Sequence, residues 1–299
     1  MALIHLENCP ICGSQKMEAF LTVKDHSISH EQFELLQCQD CSLVFTQDHP
    51  DASHIVRYYQ SEEYISHSDT QEGLINRLYH QIRSLMLDKK KTWVEKHAAK
   101  VPGSLLDVGC GTGYFVNHMK TGGWDVLGLE PDETARKVAR DNFQLPLEDT
   151  SKLFQLDQKF DVITLWHVLE HVHELNRYIE TFRQLLNENG LLLIAVPNYT
   201  SRDAKKYGSD WAAYDVPRHL WHFSPGSMHH LLEKHRFRIL KKYGMMFDPF
   251  YVAMLSEKYK GSSLGTIRGG LVGLMSNFTA SQNVDRSSSL IYIAKQAKA

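Results

Sequence analysis

Three sets of residues have the types and spacing that chemistry requires. Asp107 begins the string Asp-Val-Gly-Cys-Gly-Thr-Gly, and Glu130 follows 21 residues after Gly109. Four cysteines fall in two pairs with identical spacing, and a polar string, His-Val-Leu-Glu-His, occupies residues 167–171. These sets indicate, in that order, a nucleoside site, a metal site and an acid–base group.

The glycine string lies where an apolar run turns into a helical pattern, which is where a doubly wound sheet binds its ligand. Glycine suits this position because a ligand lying against the backbone leaves no room for Cβ atoms. Tyr114 stands where the dinucleotide fingerprint has Gly or Ala, so the string favours a nucleoside ligand without a pyrophosphate. Glu130 can accept two hydrogen bonds from ribose hydroxyls. NAD enzymes also use an acid there, so an NAD-dependent oxidoreductase is an alternative that Tyr114 disfavours.

The cysteine pairs predict a zinc site. Two residues separate the thiols of each pair, which lets one metal take both in a tight turn, and Gly13 relieves the backbone of the first turn. Four protein ligands leave no open position, so the predicted zinc is structural, with redox use of either pair as the alternative. The predicted ligands are Cys9, Cys12, Cys38 and Cys41.

The string at residues 167–171 predicts a functional cluster beside the glycine loop. If a helix begins there, His167, Glu170 and His171 share one face. The same string occurs in one class of metallopeptidases, but inside a helix, whereas here it follows a buried strand. A structural hydrogen-bonded pair of Glu170 and His171 is an equal alternative to a catalytic role.

The elements that must position these residues alternate between β-rich runs and helical patterns, which predicts a parallel sheet wrapped by helices. The predicted strands are residues 104–108, 125–129, 160–165, 191–196, 237–243 and 289–294, with a weaker one at 145–147. The predicted helices are residues 115–122, 133–142, 175–186 and 224–235, and residues 51–100 also have a helical pattern. Residues 245–285 have no clear period.

Three segments, residues 107–113, 128–131 and 160–164, resemble class I S-adenosylmethionine-dependent methyltransferases over roughly residues 100 to 245. The resemblance implies an α/β, doubly wound, Rossmann-like core of seven strands with S-adenosylmethionine as cofactor. It places Asp107 near the amino-acid portion of the cofactor and Glu130 at the ribose. Cys110 is expected only as a small loop residue. The implied cofactor contacts are Tyr59, Tyr64, Asp107, Gly109, Cys110, Gly111, Gly113, Glu130, Pro131, Asp149, Trp166 and His167.

The resemblance also indicates an acceptor region. His167 stands where some ubiquinone-pathway members carry an acidic metal ligand, which argues against that metal site here. Residues 211–223 look like a loop shared by uncharacterised bacterial methyltransferases, and residues 58–67 resemble the aromatic lid of sugar C-methyltransferases. Aromatic packing is the alternative for residues 211–223. The catalytic candidates are His167, Glu170, His171, Tyr214, His219 and His222, with His219 and His222 as the leading bases.

Composition and charge support one main domain with an appendage. The 299 residues are 42% hydrophobic and 23% charged, and the net charge of −2 gives no reason to expect a nucleic-acid partner. We expect a zinc ribbon at 1–48, a helical lid at 49–100 and the methyltransferase domain at 101–299. The expected location is the cytoplasm, since the longest apolar run, 191–196, is too short to span a bilayer. The oligomeric state is left open.

The expected reaction is methyl transfer from S-adenosylmethionine to an oxygen or carbon of a small or carrier-borne acceptor. One alternative is an RNA methyltransferase that docks through its zinc ribbon, which the acidic balance of residues 1–48 disfavours. Another is a protein that binds S-adenosylmethionine without catalysis.

Overall fold

The computed structural model describes residues 3–59 and 74–297, with side chains described from residue 82 in the second range. Tyr64, one of the predicted lid residues, lies outside these ranges. The N-terminal elements are β1 (Leu3–Ile4), β2 (Met17–Lys24), β3 (Gln32–Cys38), β4 (Val44–Thr46), β5 (His49–Pro50) and α1 (Leu74–His97).

The remaining elements form the core and its connections. In chain order they are β6 (Ser104–Val108), α2 (Tyr114–Thr121), β7 (Asp125–Leu129), α3 (Glu133–Phe143), β8 (Phe160–Trp166), α4 (Leu175–Leu185), β9 (Leu186–Pro197), α5 (Arg202–Tyr207), β10 (Trp221–His222), α6 (Pro225–Lys234), β11 (Phe237–Gly244), α7 (Asp248–Tyr259), α8 (Gly265–Gln282) and β12 (Ser289–Gln296). Among the described residues, no helix combines the length and the apolar character that a bilayer crossing requires.

The central sheet has the order β11-β12-β9-β8-β6-β7. The strands β7, β6, β8 and β9 are parallel, whereas β12 pairs antiparallel with both β9 and β11. Residues such as Leu106, Ile163 and Leu193 are fully buried, as expected for parallel strands covered on both faces. The predicted doubly wound α/β fold is confirmed, and each of the six main predicted strands lies within an observed strand.

The seventh strand is reduced to one contact. Residues 145–147, predicted as a weak strand, form no strand; Glu148, which follows them, makes a parallel bridge to Leu129 at the edge of the sheet. Within the described residues the sheet therefore has six strands. Gln144 has a positive φ of 53°, which ends α3 immediately before this segment and leaves it too short to extend the pairing.

Residues 245–285, which have no clear period in sequence, fold mainly into the helices α7 and α8. The two helices pack closely because glycines of α8 face α7: a Cβ on Gly269 would lie 2.7 Å from the backbone of Met254, and one on Gly273 would lie 2.6 Å from Phe250. The inward face of α8 is thus built mainly of small residues, which hides the usual apolar period.

The N-terminal cysteine segment is joined to the core by strand pairing. The order β10-β4-β3-β2 places Trp221 and His222, from the loop before α6, opposite Phe45 and Val44. Arg218, 2% exposed, adds a polar link: its guanidinium donates to Asp25 at 3.1 Å, to Asp215, and to the Tyr58 carbonyl at 2.8 Å. Residues far apart in sequence therefore meet in one buried network.

We expect Arg218→Met to destabilise the protein by about 3–5 kcal/mol, because Asp25 would remain buried without its partner charge. Urea unfolding followed by circular dichroism measures this change. Arg177→Met is the control, since Arg177 forms an exposed pair with Glu174 and its removal should cost less than about 1 kcal/mol. An unchanged midpoint for Arg218→Met would show that the network contributes nothing to stability.

Candidate active site

The glycine loop between β6 and α2 leaves its backbone open. Gly109, Gly111 and Gly113 all have positive φ, between 56° and 79°, a region that favours glycine. A Cβ on Gly109 would lie 2.4 Å from Val168, whereas a Cβ on Gly111 would meet nothing within 4 Å. The loop thus packs against the segment after β8 at Gly109, whereas at Gly111 no side chain covers its backbone.

Glu130 follows β7 and turns toward this loop. One carboxylate oxygen accepts from the Gly111 N–H at 2.7 Å, and the other accepts from the Asp132 N–H at 3.1 Å. Burial raises the pKa of Glu130, which is 8% exposed. A carboxylate offers about four lone-pair positions, so two remain for ribose hydroxyls. The loop and Glu130 therefore fit the adenosyl group of S-adenosylmethionine.

Arg136 of α3 organises the neighbouring edge. Its guanidinium donates to Asp149 at 2.9 Å, to the Pro131 carbonyl at 2.9 Å, and to the Glu130 carbonyl. Asp149 also caps the short helical turn Thr150–Gln155. Burial raises the pKa of the Cys110 thiol, which disfavours the thiolate form that a nucleophile requires.

Asp107 at the end of β6 is 1% exposed and accepts the Thr164 hydroxyl at 2.6 Å. Burial raises the pKa of Asp107 to about 7, although the Thr164 hydrogen bond opposes the shift. Lys90 of α1 lies near enough to Asp107 for their charges to interact. Its Nζ atom is 4.3 Å from the centre of the Trp166 ring. Sequence reasoning missed Lys90 because the run Lys89-Lys90-Lys91 is typical of a solvated helix face.

His167 differs from the sequence expectation. No α-helix begins there: His167 has a φ of 60°, its N–H donates to the Ala195 carbonyl of β9, and only the short turn Leu169–His171 follows. His167 lies 3.3 Å from Glu170, and 3.0 Å from Asp248 at the start of α7. Burial lowers the pKa of His167, but the hydrogen bonds and charges of these two carboxylates outweigh it and raise the pKa to about 10.

The charge of His167 decides what it can do. As an imidazolium at neutral pH it donates both N–H groups and cannot accept a proton from a substrate. Asp248, its second partner, belongs to residues 245–285, where no sequence pattern singled it out. Glu170 is fully buried, and its other oxygen has no hydrogen-bond partner among the described residues.

His171 turns away from His167 and meets His219. The two rings are 4.5 Å apart at their centres and nearly perpendicular. The Nδ1 atom of His171 lies 3.0 Å from the Arg218 carbonyl, and that of His219 lies 2.9 Å from the Ala213 carbonyl. Because a carbonyl only accepts, each Nδ1 carries a proton.

Burial, together with the neighbouring His219, lowers the pKa of His171 to about 4, so its ring is neutral near pH 7. The Tyr59 hydroxyl lies 3.0 Å from His171 Nδ1, which brings one predicted lid residue to this site. Nitrogen or oxygen atoms of Glu170, His171 and His219 all lie within 4.8 Å of one another. The same atoms can act as proton acceptors or hold a divalent cation.

The other residues predicted in the loop at 211–223 lie in packed surroundings. His222 is 4% exposed, with Nε2 3.1 Å from the Thr46 hydroxyl, and burial lowers the pKa of His222 well below its usual value. Tyr214, 2% exposed, makes an edge contact with His222, and Trp211 donates to Asp203 at 2.9 Å. For these residues the structure matches the alternative of aromatic packing.

The four cysteines of the N-terminal segment converge. The sulfur atoms of Cys9 and Cys41 are 3.4 Å apart, as are those of Cys12 and Cys38, and all four lie within 4.8 Å of one another. Tetrahedral zinc with Zn–S bonds of about 2.3 Å separates its sulfurs by about 3.8 Å, so this arrangement fits the metal. Gly13 adopts a φ of 75° in the first turn, as expected.

Comparisons with known proteins agree with this geometry. The family described as "Methyltransferase domain" matches residues 78–242, more than half of the chain. A ubiquinone biosynthesis O-methyltransferase from Acinetobacter baylyi is 26% identical over 194 residues, covering 58% of this chain and 78% of that protein. A protein of the same name from Rickettsia akari is 24% identical over 203 residues, covering 62% and 80%.

A solved structure shares the fold. The magnesium protoporphyrin IX methyltransferase of Synechocystis PCC 6803, with bound S-adenosylhomocysteine, superposes with a TM-score of 0.54 at 16% identity and covers 82% of this chain and all of that one. The family match spans the glycine loop, Glu130 and the segment after β8. The chain therefore belongs to the methyltransferase domain family and is an S-adenosylmethionine-dependent methyltransferase.

Proposed function

We propose that this protein methylates a hydroxyl oxygen of a small or carrier-borne acceptor, with a carbon acceptor as the second choice. One observation carries the proposal: His171, whose pKa burial lowers to about 4, faces His219 beside the segment that packs on the glycine loop. A hydroxyl must lose its proton during the reaction, and a neutral imidazole accepts one. The names of the two O-methyltransferase relatives support an oxygen acceptor.

The cofactor-binding roles are proposals of the same kind. Glu130 would hold the ribose, the backbone of residues 109–113 would lie against the adenosyl group, and Asp149 would border the adenine. Asp107 and Lys90 would face the amino-acid portion, one for each of its charges. When bound, S-adenosylmethionine supplies an electrophilic methyl group on a sulfonium.

The remaining residues would align the acceptor. His171 or His219 would take the hydroxyl proton at Nε2, and the acceptor oxygen would be held in line with the methyl group that the bound cofactor supplies, with its sulfur as the leaving atom. Glu170, which has one unpaired buried oxygen, would stabilise the imidazolium that forms. His167, held as a cation by Glu170 and Asp248, would position Glu170 and would not act as the base.

We also propose that residues 1–48 hold one structural zinc and that residues 49–100 form a helical lid before the methyltransferase domain at 101–299. The four convergent sulfurs support the metal. Thiolate ligands persist in a reducing compartment, which supports the cytoplasm as the location. Because the ribbon carries seven acidic residues, Glu7, Glu18, Asp25, Glu31, Glu34, Asp40 and Asp48, and two lysines, we expect no RNA partner.

Titration calorimetry tests the cofactor assignment. We expect S-adenosylmethionine and S-adenosylhomocysteine to bind and NAD not to bind. We expect Glu130→Ala to lower the affinity for the two adenosyl ligands by about 10- to 100-fold, because hydrogen bonds to a charged group are lost. Glu188→Ala is the control, since this exposed glutamate lies in β9 away from the glycine loop. Binding of NAD alone would contradict the assignment.

The proposed base is tested with methyl-labelled S-adenosylmethionine and a panel of phenols and alcohols. With an acceptor that turns over, we expect His171→Gln or His219→Gln to lower kcat by about 100-fold or more while cofactor affinity is unchanged. His229→Gln, at an exposed site on α6, is the control. If both variants keep wild-type kcat, neither imidazole is the base; if no panel member is methylated while the cofactor binds, the proposed hydroxyl acceptor fails.

The pH profile tests His171 as the base. A base whose pKa is lowered to about 4 stays unprotonated at neutral pH, so the kcat/KM of a His171-dependent reaction should be flat from pH 6 to 8 and fall only as pH drops toward about 4. An acid limb near pH 6.5, the usual histidine pKa, would contradict His171 as the base.

Elemental analysis tests the zinc. We expect one zinc per chain in the wild type, loss of zinc in Cys38→Ser, and a lower thermal midpoint after chelation, because the metal would join the two cysteine pairs in the folded state only. Cys110→Ser is the matched control, since the fifth cysteine lies in the glycine loop and should leave the zinc content unchanged. A metal-free wild-type protein of full stability would show that the cysteines serve another purpose.

A further inference from the structure

The helix α8 exposes an unusual set of apolar side chains. Its inward face, which includes Gly269, Val272 and Gly273, is buried against α7. The residues at the opposite positions are apolar as well, and they are 51–66% exposed. We call these residues the outer face: Ile267, Leu271, Leu274, Met275 and Phe278. Their spacing of three and four residues places them on one side of the helix, along roughly 16 Å.

Cations border the outer face. A groove of about 500 Å³ is lined by Leu274, Met275 and Phe278 on one side and by Arg202 and Arg286 on the other. A second groove, of about 470 Å³, shares both arginines and adds Lys205 and Lys206. We call Arg202, Lys205, Lys206 and Arg286 the cationic rim; all four are exposed.

Within the part of the chain that the structure describes, no carboxylate forms an ion pair with this rim. Arg268 is the only charged residue of α8. Asp203, on the same helix as Arg202, is fully buried and accepts hydrogen bonds from Trp211, Ser276 and Ser288. Asp285, next to Arg286, pairs with Lys242. The rim therefore presents a net positive charge next to exposed apolar side chains.

We propose that the outer face and the cationic rim bind the surface of a membrane that contains anionic phospholipids. Apolar side chains on one face of a helix enter the boundary between headgroups and acyl chains, and flanking Lys and Arg side chains attract anionic headgroups. A large exposed apolar patch with a polar rim marks such a contact. The chain would lie on the bilayer without crossing it.

A second copy of the chain fits this surface less well. A two-fold dimer through the outer face would use the same patch on both subunits. The cationic rims of the two subunits would then both lie at the interface. Like charges brought together in this way repel. An anionic lipid surface supplies the complementary charge over the whole rim.

The same helices reach the active site. The Asn277 side chain of α8 donates to the Met246 carbonyl at 2.7 Å, and Asp248, two residues further on, contacts His167. This hydrogen bond ties α8 to the segment that supplies Asp248. Membrane binding as proposed is independent of methyl transfer and is measured without an acceptor.

Vesicle flotation with the full-length protein tests the proposal. We expect binding to vesicles of phosphatidylcholine with about one-third phosphatidylglycerol, and little binding to phosphatidylcholine alone, since each basic residue contributes about 1 kcal/mol near an anionic surface. The double variant Leu271→Ser/Phe278→Ser should weaken binding by about tenfold or more. Arg202→Gln/Lys206→Gln should weaken it by about tenfold to thirtyfold and reduce its salt dependence.

The matched control is Val56→Ser/Arg177→Gln, which removes an exposed apolar residue and an exposed cation elsewhere and should bind as the wild type does. Circular dichroism of each variant confirms folding. Failure of the wild type to float with the anionic vesicles, or equal flotation of all variants, would overturn the proposal. Sedimentation velocity identifies the competing outcome: a dimer that Leu271→Ser/Phe278→Ser dissociates, with no flotation, would assign the outer face to a second copy.

Discussion

The contact between Gly109 and Val168 is the constraint on which the active site depends. The branched side chain of Val168 occupies the space where any residue other than glycine would place its Cβ, only 2.4 Å away. The glycine loop after β6 therefore packs tightly against the segment after β8 at the carboxyl edge of the sheet. This contact brings the loop that fits the cofactor close to Glu170 and His171, which follow Val168 in the chain.

Two histidines at this edge of the sheet differ in protonation state because their surroundings differ. His167 lies between Glu170 and Asp248 and is held as a cation. His171 faces another imidazole and backbone carbonyls and is held neutral. These two residues, four positions apart in sequence, thus differ in protonation state at neutral pH. Two carboxylates are hydrogen-bonded to His167, whereas burial and the neighbouring His219 lower the pKa of His171.

The N-terminal cysteine segment takes part in this arrangement through buried polar contacts. Arg218 binds Asp25 of the N-terminal segment, and its carbonyl accepts from His171, so one residue links the two regions. The Thr46 hydroxyl of β4 donates to the His219 carbonyl.

The sequence by itself determined the main strands, the glycine loop, Glu130 and the cysteine pairs, because each depends on a local pattern: a buried apolar run, glycine at a turn, or two thiols at a fixed spacing. Only the tertiary structure decided which histidines meet. The left-handed backbone of His167 separates it from His171, and the loop at 211–223 buries Tyr214 and His222 while turning His219 toward His171. Lys90 and Asp248 reach the site from distant helices, and α8 turns its apolar residues outward because its glycines must face α7. These outcomes depend on contacts between segments far apart in the chain, which no local pattern records.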